Sequence, residues 1–164
     1  MEENIQTEVM KERKMSRTVD ASPERTFQAW TDPLELRTWW GPRGFTTGEV
    51  LIEPREGGRF SVEMEDEAGR TFPMRGNFQK FEGPSRLVFT TSIIDDPAGG
   101  RPLEALNTVT FEERGEGTEI IWRWEAIDPA PTDIVAAAIE GYERTVSDSL
   151  SRLAELMSRT SGQA

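Results

Sequence analysis

Seven apolar side chains near the C-terminal end of the chain restrict its fold more than any other feature. Val135, Ile139, Tyr142, Val146, Leu150, Leu153 and Met157 recur in steps of three and four, a mean of about 3.7 residues, which is the period of one face of an α-helix. The spacing predicts a single helix over residues 131–158, capped by Thr132 or Asp133 after Pro129 and Pro131. Its other face is charged. Glu140 and Arg144, Asp148 and Arg152, and Glu155 and Arg159 stand acid before base at i, i+4, worth about 0.3 kcal/mol a pair. A long helix with one apolar stripe needs an equally long apolar surface to lie on.

The only stretch able to supply that surface runs from Phe45 to Ile127. It reads as strands of alternating character separated by turn residues: Gly44–Glu53, Arg59–Glu65, Phe72–Phe81, Arg86–Ile94, Leu106–Glu112 and Glu119–Ala126. Phe60, Val62 and Met64 alternate with Ser61, Glu63 and Glu65, and Ile120, Trp122 and Trp124 with Ile121, Arg123 and Glu125. With Arg17–Ala21 as an opening strand there are about seven, and the short loops between them imply antiparallel neighbours. Before this stretch, Ser22-Pro23 caps a short helix over residues 23–30, with Phe27 and Trp30 on one face. Asp32-Pro33-Leu34-Glu35 starts a second, with Glu35 in the capping-box position, which ends in Trp39-Trp40 at Gly41-Pro42. The fold class expected is α+β: a curved antiparallel sheet of about seven strands wrapped around a long C-terminal helix, with two short helices after the first strand. One domain over residues 12–158 is expected, between a flexible N-terminus at 1–11 and a flexible tail at 159–164.

Composition removes most function classes. The chain of 164 residues has neither cysteine nor histidine, so it lacks disulfides, thiolate nucleophiles, the commonest general base and the commonest zinc ligand. With 30 acidic against 19 basic residues its net charge is -11, which argues against nucleic acid and anionic membranes as partners. No apolar run approaches the ~20 residues of a membrane span, and the first residues carry no signal-peptide pattern; a cytoplasmic protein is expected. The acidic group Glu63, Glu65, Asp66 and Glu67 lacks the spacing of a calcium loop and reads as a hairpin tip, not a metal site. Gly41-Pro42-Arg43-Gly44 matches no phosphate-binding fingerprint, and no cofactor is expected.

The order of elements and several motifs carry a family resemblance. Val19-Asp20-Ala21-Ser22-Pro23-Glu24-Arg25-Thr26-Phe27-Gln28-Ala29-Trp30-Thr31-Asp32-Pro33, the Trp-Trp within Leu36 to Pro42, Gly57-Gly58-Arg59-Phe60, Gly76 before Phe78, Pro84-Ser85-Arg86-Leu87-Val88-Phe89-Thr90, Val109-Thr110-Phe111 and Gly117-Thr118-Glu119-Ile120 together resemble the START-like superfamily. This superfamily is also called SRPBCC or Bet v 1-like, and has the helix-grip fold. Within it the chain is similar to single-domain proteins related to the activator of the heat-shock-protein-90 ATPase. The resemblance spans about residues 15–158. It implies a cavity for a small hydrophobic molecule and, as the alternative, contact with a chaperone or other protein; a cyclase- or isomerase-like role comes third.

A twisted sheet curled around one helix leaves space between them, and a ligand cavity above about 300 Å³ is the expectation. Trp39, Trp40, Phe60, Met64, Met74, Phe78, Phe89, Trp122, Trp124, Ile139, Tyr142 and Val146 are the candidate lining, with solid core as the alternative for each. Arg75, Asn77 and Arg123 would be polar anchors if they faced inward; strand alternation favours their facing solvent. Gly141 would allow close approach of a strand or a ligand, and Trp39-Trp40 would either stand at the cavity mouth or plug the core. No residue is assigned a catalytic role: proton transfer would need a buried carboxylate near Tyr142 or Arg123. The protein is expected to be a monomer or a homodimer.

Overall fold

The computed structural model describes residues 12–94, 103–128 and 133–161. In chain order they form β1 (Arg13–Val19), α1 (Pro23–Thr31), α2 (Pro33–Trp39), β2 (Thr46–Ile52), β3 (Arg59–Glu65), β4 (Thr71–Glu82), β5 (Arg86–Ile94), β6 (Leu103–Arg114), β7 (Gly117–Asp128) and α3 (Asp133–Ser161). The strands make one antiparallel sheet in the order β1-β7-β6-β5-β4-β3-β2, curled into a half-barrel. Register shifts between Thr47 and Val50, Phe78 and Lys80, Ser92 and Ile94, and Glu104 and Ala105 supply the extra residues that bend strands and increase their twist. This is the α+β helix-grip fold expected from the sequence.

Local chemistry sets the two short helices as read, with one change. Ser22 Oγ accepts from the backbone N–H of Arg25 at 3.1 Å. Asp32 serves both helices: its N–H donates to Gln28 O at 2.9 Å, closing α1, and its Oδ1 accepts from Leu34 N–H at 2.9 Å, opening α2. Because that N–H is already used, Glu35 does not complete a capping box; its carboxylate instead pairs with Arg25 at 2.6 Å.

Alternation decides which strand residues face inward. Phe60, Val62 and Met64 of β3, Val109 and Phe111 of β6 and Ile120, Trp122 and Trp124 of β7 are buried, and Tyr142, Val146, Leu150, Leu153 and Met157 of α3 are buried opposite them. Each large side chain so covered contributes about 1.5–3 kcal/mol. The half of the concave face beneath α1 and α2 is filled by aromatic rings around Trp30, whose centroid lies 4.8 Å from Trp39, 4.9 Å from Trp122 and 5.9 Å from Phe111. One close approach requires glycine: a Cβ on Gly76 would stand 1.6 Å from the carbonyl oxygen of Thr90, so no side chain fits between β4 and β5 there.

Several boundaries differ from expectation, among them β6, which begins at Leu103 and not at Leu106. The first strand begins at Arg13 and ends at Val19, not at Arg17 and Ala21, because backbone pairing with β7, Arg13 opposite Trp124 through Val19 opposite Thr118, holds a segment whose own apolar pattern is weak. The last helix continues to Ser161, so residues 159–161 belong to it and not to a tail. The expected flexible segment at 1–11 and residues 162–164 lie outside the described residues.

Candidate functional site

The loop from Trp40 to Phe45 is latched onto α3 by paired polar groups. Gly41, at φ +109°, donates its N–H to Ser149 Oγ at 2.8 Å, and Arg43 donates its N–H to Asp148 Oδ2 at 2.9 Å. Arg43 also reaches Glu155 at 3.0 Å. In the other direction, Arg152 donates to the carbonyls of Thr38, Trp40 and Gly41, each at 3.3 Å. A cation at the carbonyl end of α2 is favoured by the unpaired C=O groups there. Asp148 and Arg152 are thus spent between elements, and do not form the pair along the helix that their spacing suggested.

This latch leaves a pocket of about 240 Å³ between the loop, α3 and strands β3 and β4. Met64 and Met74, both buried, form its floor. Phe45 and Phe72, whose ring centroids are 5.6 Å apart, line it from the loop and β4, and Gly141, Tyr142 and Thr145 from α3. Arg43 and Arg144, both exposed, complete the lining at its solvent edge, the rim. A Cβ placed on Gly141 would meet nothing within 4 Å, so this glycine borders open space and not a close-packed neighbour.

Behind the pocket lies a buried polar network centred on Asn107. Tyr142 donates its hydroxyl proton to Asn107 Oδ1 at 2.5 Å, and Trp122 donates Nε1–H to the same oxygen at 3.0 Å. Asn107 Nδ2 donates to Thr91 Oγ1 at 3.1 Å and to the carbonyl of Phe89 at 3.2 Å. With the tyrosine proton committed to Asn107, the remaining Thr91–Tyr142 contact of 3.1 Å has Thr91 as donor. The three side chains therefore close a ring in which every proton points the same way round, and all three are buried. Burial raises the pKa of Tyr142 well above its ordinary value, against the smaller opposing pull of its bonds to Thr91 and Asn107; the hydroxyl stays protonated.

The structure sorts the candidate residues into groups. Met64, Met74 and Tyr142 come together in the pocket. Trp39, Trp40, Phe60, Phe78, Phe89, Trp122 and Val146 are solid core, each at most 2 % exposed, and Trp39-Trp40 plug the interior, Trp39 donating its indole N–H to Ala29 O at 3.1 Å. Trp124 is buried with its ring 6.2 Å from that of Tyr142. The side chain of Ile139 lies outside the described residues. Arg75 and Asn77 are exposed on the outer face of β4 and Arg123 lies on the outer face of β7, 3.9 Å from Glu12. None of the three anchors a ligand in the interior, because each alternates with an inward neighbour. The hairpin-tip group is put to structural use: Asp66 accepts from the backbone N–H groups of Ala68 and Arg70 at 3.0 and 2.9 Å.

Sequence reasoning missed Asn107 and Thr91. The available signal was phase: Asn107 is in step with Val109 and Phe111, and Thr91 with Leu87 and Phe89, so each is a polar residue at an inward position. Among the described residues, no carboxylate is bonded to the Tyr142 hydroxyl or lines the pocket.

The model of the family described as activator of Hsp90 ATPase homolog 1-like protein matches residues 20–155. Among solved structures, a protein from Chromobacterium violaceum is similar at 27% identity over 89% of this chain and 96% of its own, with a TM-score of 0.74. One from Rhodobacter sphaeroides is similar at 24% identity over 90% and 92%, TM-score 0.73. An AHSA1-like protein from Aeromonas hydrophila is similar at 21% identity over 86% and 92%, TM-score 0.63. No curated protein matches the sequence.

Proposed function

Since the chain belongs to the activator of Hsp90 ATPase homolog 1-like family, we propose that it is a non-catalytic binding module for a small apolar or amphipathic molecule. The observation that carries this reading is the pocket beside Gly141, with a methionine floor, aromatic walls and an open side at a residue without a side chain. The pocket is smaller than the 300 Å³ anticipated, because the aromatic rings around Trp30 fill the interior that was expected to be hollow. At about 30 Å³ per water, 240 Å³ holds roughly eight waters, or an organic molecule of about ten non-hydrogen atoms. Methionine suits such a floor, since its unbranched, polarizable side chain adapts to varied shapes.

The reading is tested on the methionine methyl groups by NMR. Among the described residues, two methionines, Met64 and Met74, line the pocket, so a ligand there shifts those two signals and leaves buried Met157 in place. In Gly141→Leu, whose side chain would occupy the opening, the shifts are expected to vanish. Ligand-induced shifts that persist unchanged in that variant would count against the pocket.

A second reading, contact with a chaperone, is favoured by one feature. Leu34 and Leu51 are 73% and 43% exposed and line the same outer depression between α2 and β2, together with Arg37 and Glu49. Addition of the protein to an Hsp90-type ATPase, compared with a Leu34→Ser, Leu51→Ser variant, tests it; an ATPase rate that does not respond to the unaltered protein rejects it.

A further inference from the structure

We infer that the molecule this pocket takes carries a carboxylate at its polar end, with a hydrocarbon body of about eight carbons. This rests on the pocket reading above and extends it to the ligand's charge. The ionic heads at the rim are those of Arg43 and Arg144, and no acidic residue lines the pocket among the described residues. In a chain with 30 acidic and 19 basic residues, a rim with two cations and no anion runs against the average surface. The two arginines are not equivalent. Arg43 has its backbone N–H fixed by Asp148 and its guanidinium shared with Glu155. Arg144 has no ion pair among the described residues, although Glu140 stands four residues before it on the same helix.

Position along the helix makes Arg144 available. Gly141, Arg144 and Thr145 stand at i, i+3 and i+4, so they share one helix face, and the missing side chain at 141 opens the flank along which the guanidinium can lie. The interior end of the pocket offers a ligand no comparable polar group. The Tyr142 hydroxyl is fully engaged with Asn107 and Thr91, and the Thr145 hydroxyl donates to Gly141 O at 3.1 Å. A polar head therefore belongs at the rim and the hydrocarbon among Met64, Met74, Phe45 and Phe72. A guanidinium matches a carboxylate in shape and charge, with two parallel N–H···O bonds. The net negative charge of the whole protein opposes an anion only weakly here, because at about 0.15 M salt charges beyond roughly 8 Å are screened.

The test uses octanoate, octan-1-ol and octylammonium, three eight-carbon chains with different heads, titrated at about 0.15 M salt against the Met64 and Met74 methyl signals. Octanoate is expected to bind at least ~10-fold more tightly than octan-1-ol, a ratio corresponding to about 1.4 kcal/mol, and octylammonium more weakly than either. In Arg144→Gln the octanoate advantage is expected to disappear while octan-1-ol binds as before. Equal or tighter binding of the alcohol to the unaltered protein, or an undiminished octanoate advantage in Arg144→Gln, would overturn the inference and leave the pocket standing. Failure of all three probes to move either methyl signal would remove the pocket reading, and this inference with it.

Discussion

Tyr142 on α3 donates its hydroxyl proton to Asn107 on β6 across 2.5 Å, which ties the N-terminal third of the long helix to an interior strand of the sheet. The bond is one side of a closed ring with Thr91, and Asn107 Oδ1 has both lone pairs taken, by Tyr142 and by Trp122. Such a network contributes when complete and is costly when broken, because a buried donor without a partner loses its hydration and gains nothing.

Asn107→Ala removes the acceptor of two buried donors at once, the Tyr142 hydroxyl and the Trp122 N–H, leaves Thr91 and Tyr142 only their bond to each other, and opens a small cavity. It is expected to cost about 3 kcal/mol or more, against about 1–2 for Tyr142→Phe, which disturbs only one vertex. Urea denaturation followed by tryptophan fluorescence measures both. Equal costs would mean that Asn107 is not the hub.

The protein has a single tyrosine, so tyrosinate absorbance reports Tyr142 alone. Burial raises its folded-state pKa above the unfolded value of about 10, so above that pH the unfolded chain releases a proton that the folded one keeps. The stability that this group contributes is present below pH ~10 and falls as pH rises further, by about 1.4 kcal/mol per pH unit. Tyrosinate absorbance is expected to appear only together with unfolding, and Tyr142→Phe to flatten the alkaline limb of the stability curve. Reversible ionisation of the folded protein near pH 10 contradicts this.

Arg152 reads from the sequence as a solvent-facing partner of Asp148 whose loss costs little. Its contacts with three carbonyls at the end of α2 change the expectation: Arg152→Ala should cost about 1–2 kcal/mol, with Arg152→Lys recovering part of it. Leu153→Ala, one residue further on and fully buried, should cost about 2–5 kcal/mol. Thermal or urea unfolding of the three variants gives the ranking.

Gly141 interrupts a helix at a point where a methyl group would touch nothing. Gly141→Ala is expected to stabilise the protein by about 0.5–1 kcal/mol, the difference in helix propensity. A loss of stability on calorimetry would show that the opening beside Gly141 is narrower than the structure has it.

Much of this fold could be read because its periods are long and regular. The stripe from Tyr142 to Met157 and the alternation of Phe60, Val62 and Met64 each express burial directly in residue type. The caps at Ser22 and Asp32 were legible for a different reason: the interaction is local, three residues or fewer. What escaped was set by partners distant in sequence. β1 starts four residues early because its ladder is supplied by β7. Arg152 turns from Asp148 to α2 because the chain folds back there. Asn107 and Thr91 sit 16 residues apart and meet Tyr142 from 35 and 51 residues away, so no window short enough to show periodicity contains them. The expectation of a hollow interior did not allow for what fills it, since a list of aromatic residues does not show that Trp30, Trp39, Trp40 and Trp122 pack on one another.

The pairing of β1 with β7 also bears on how the protein comes into being. Among the described strands the first is hydrogen-bonded to the last, and its register runs through Trp124. During synthesis from the N-terminus, at about 5–20 residues per second, Arg13–Val19 leaves the ribosome several seconds before Gly117–Asp128 has been made. For that interval it is an unpaired strand, and the sheet can be completed only by a loop closure of roughly a hundred residues, the kind of non-local contact that slows folding toward milliseconds to seconds. The arginines and lysine of RKMSRTV then act twice: β1 remains an edge strand of the finished sheet, and before β7 exists the same charge discourages other chains from adding to the waiting segment first.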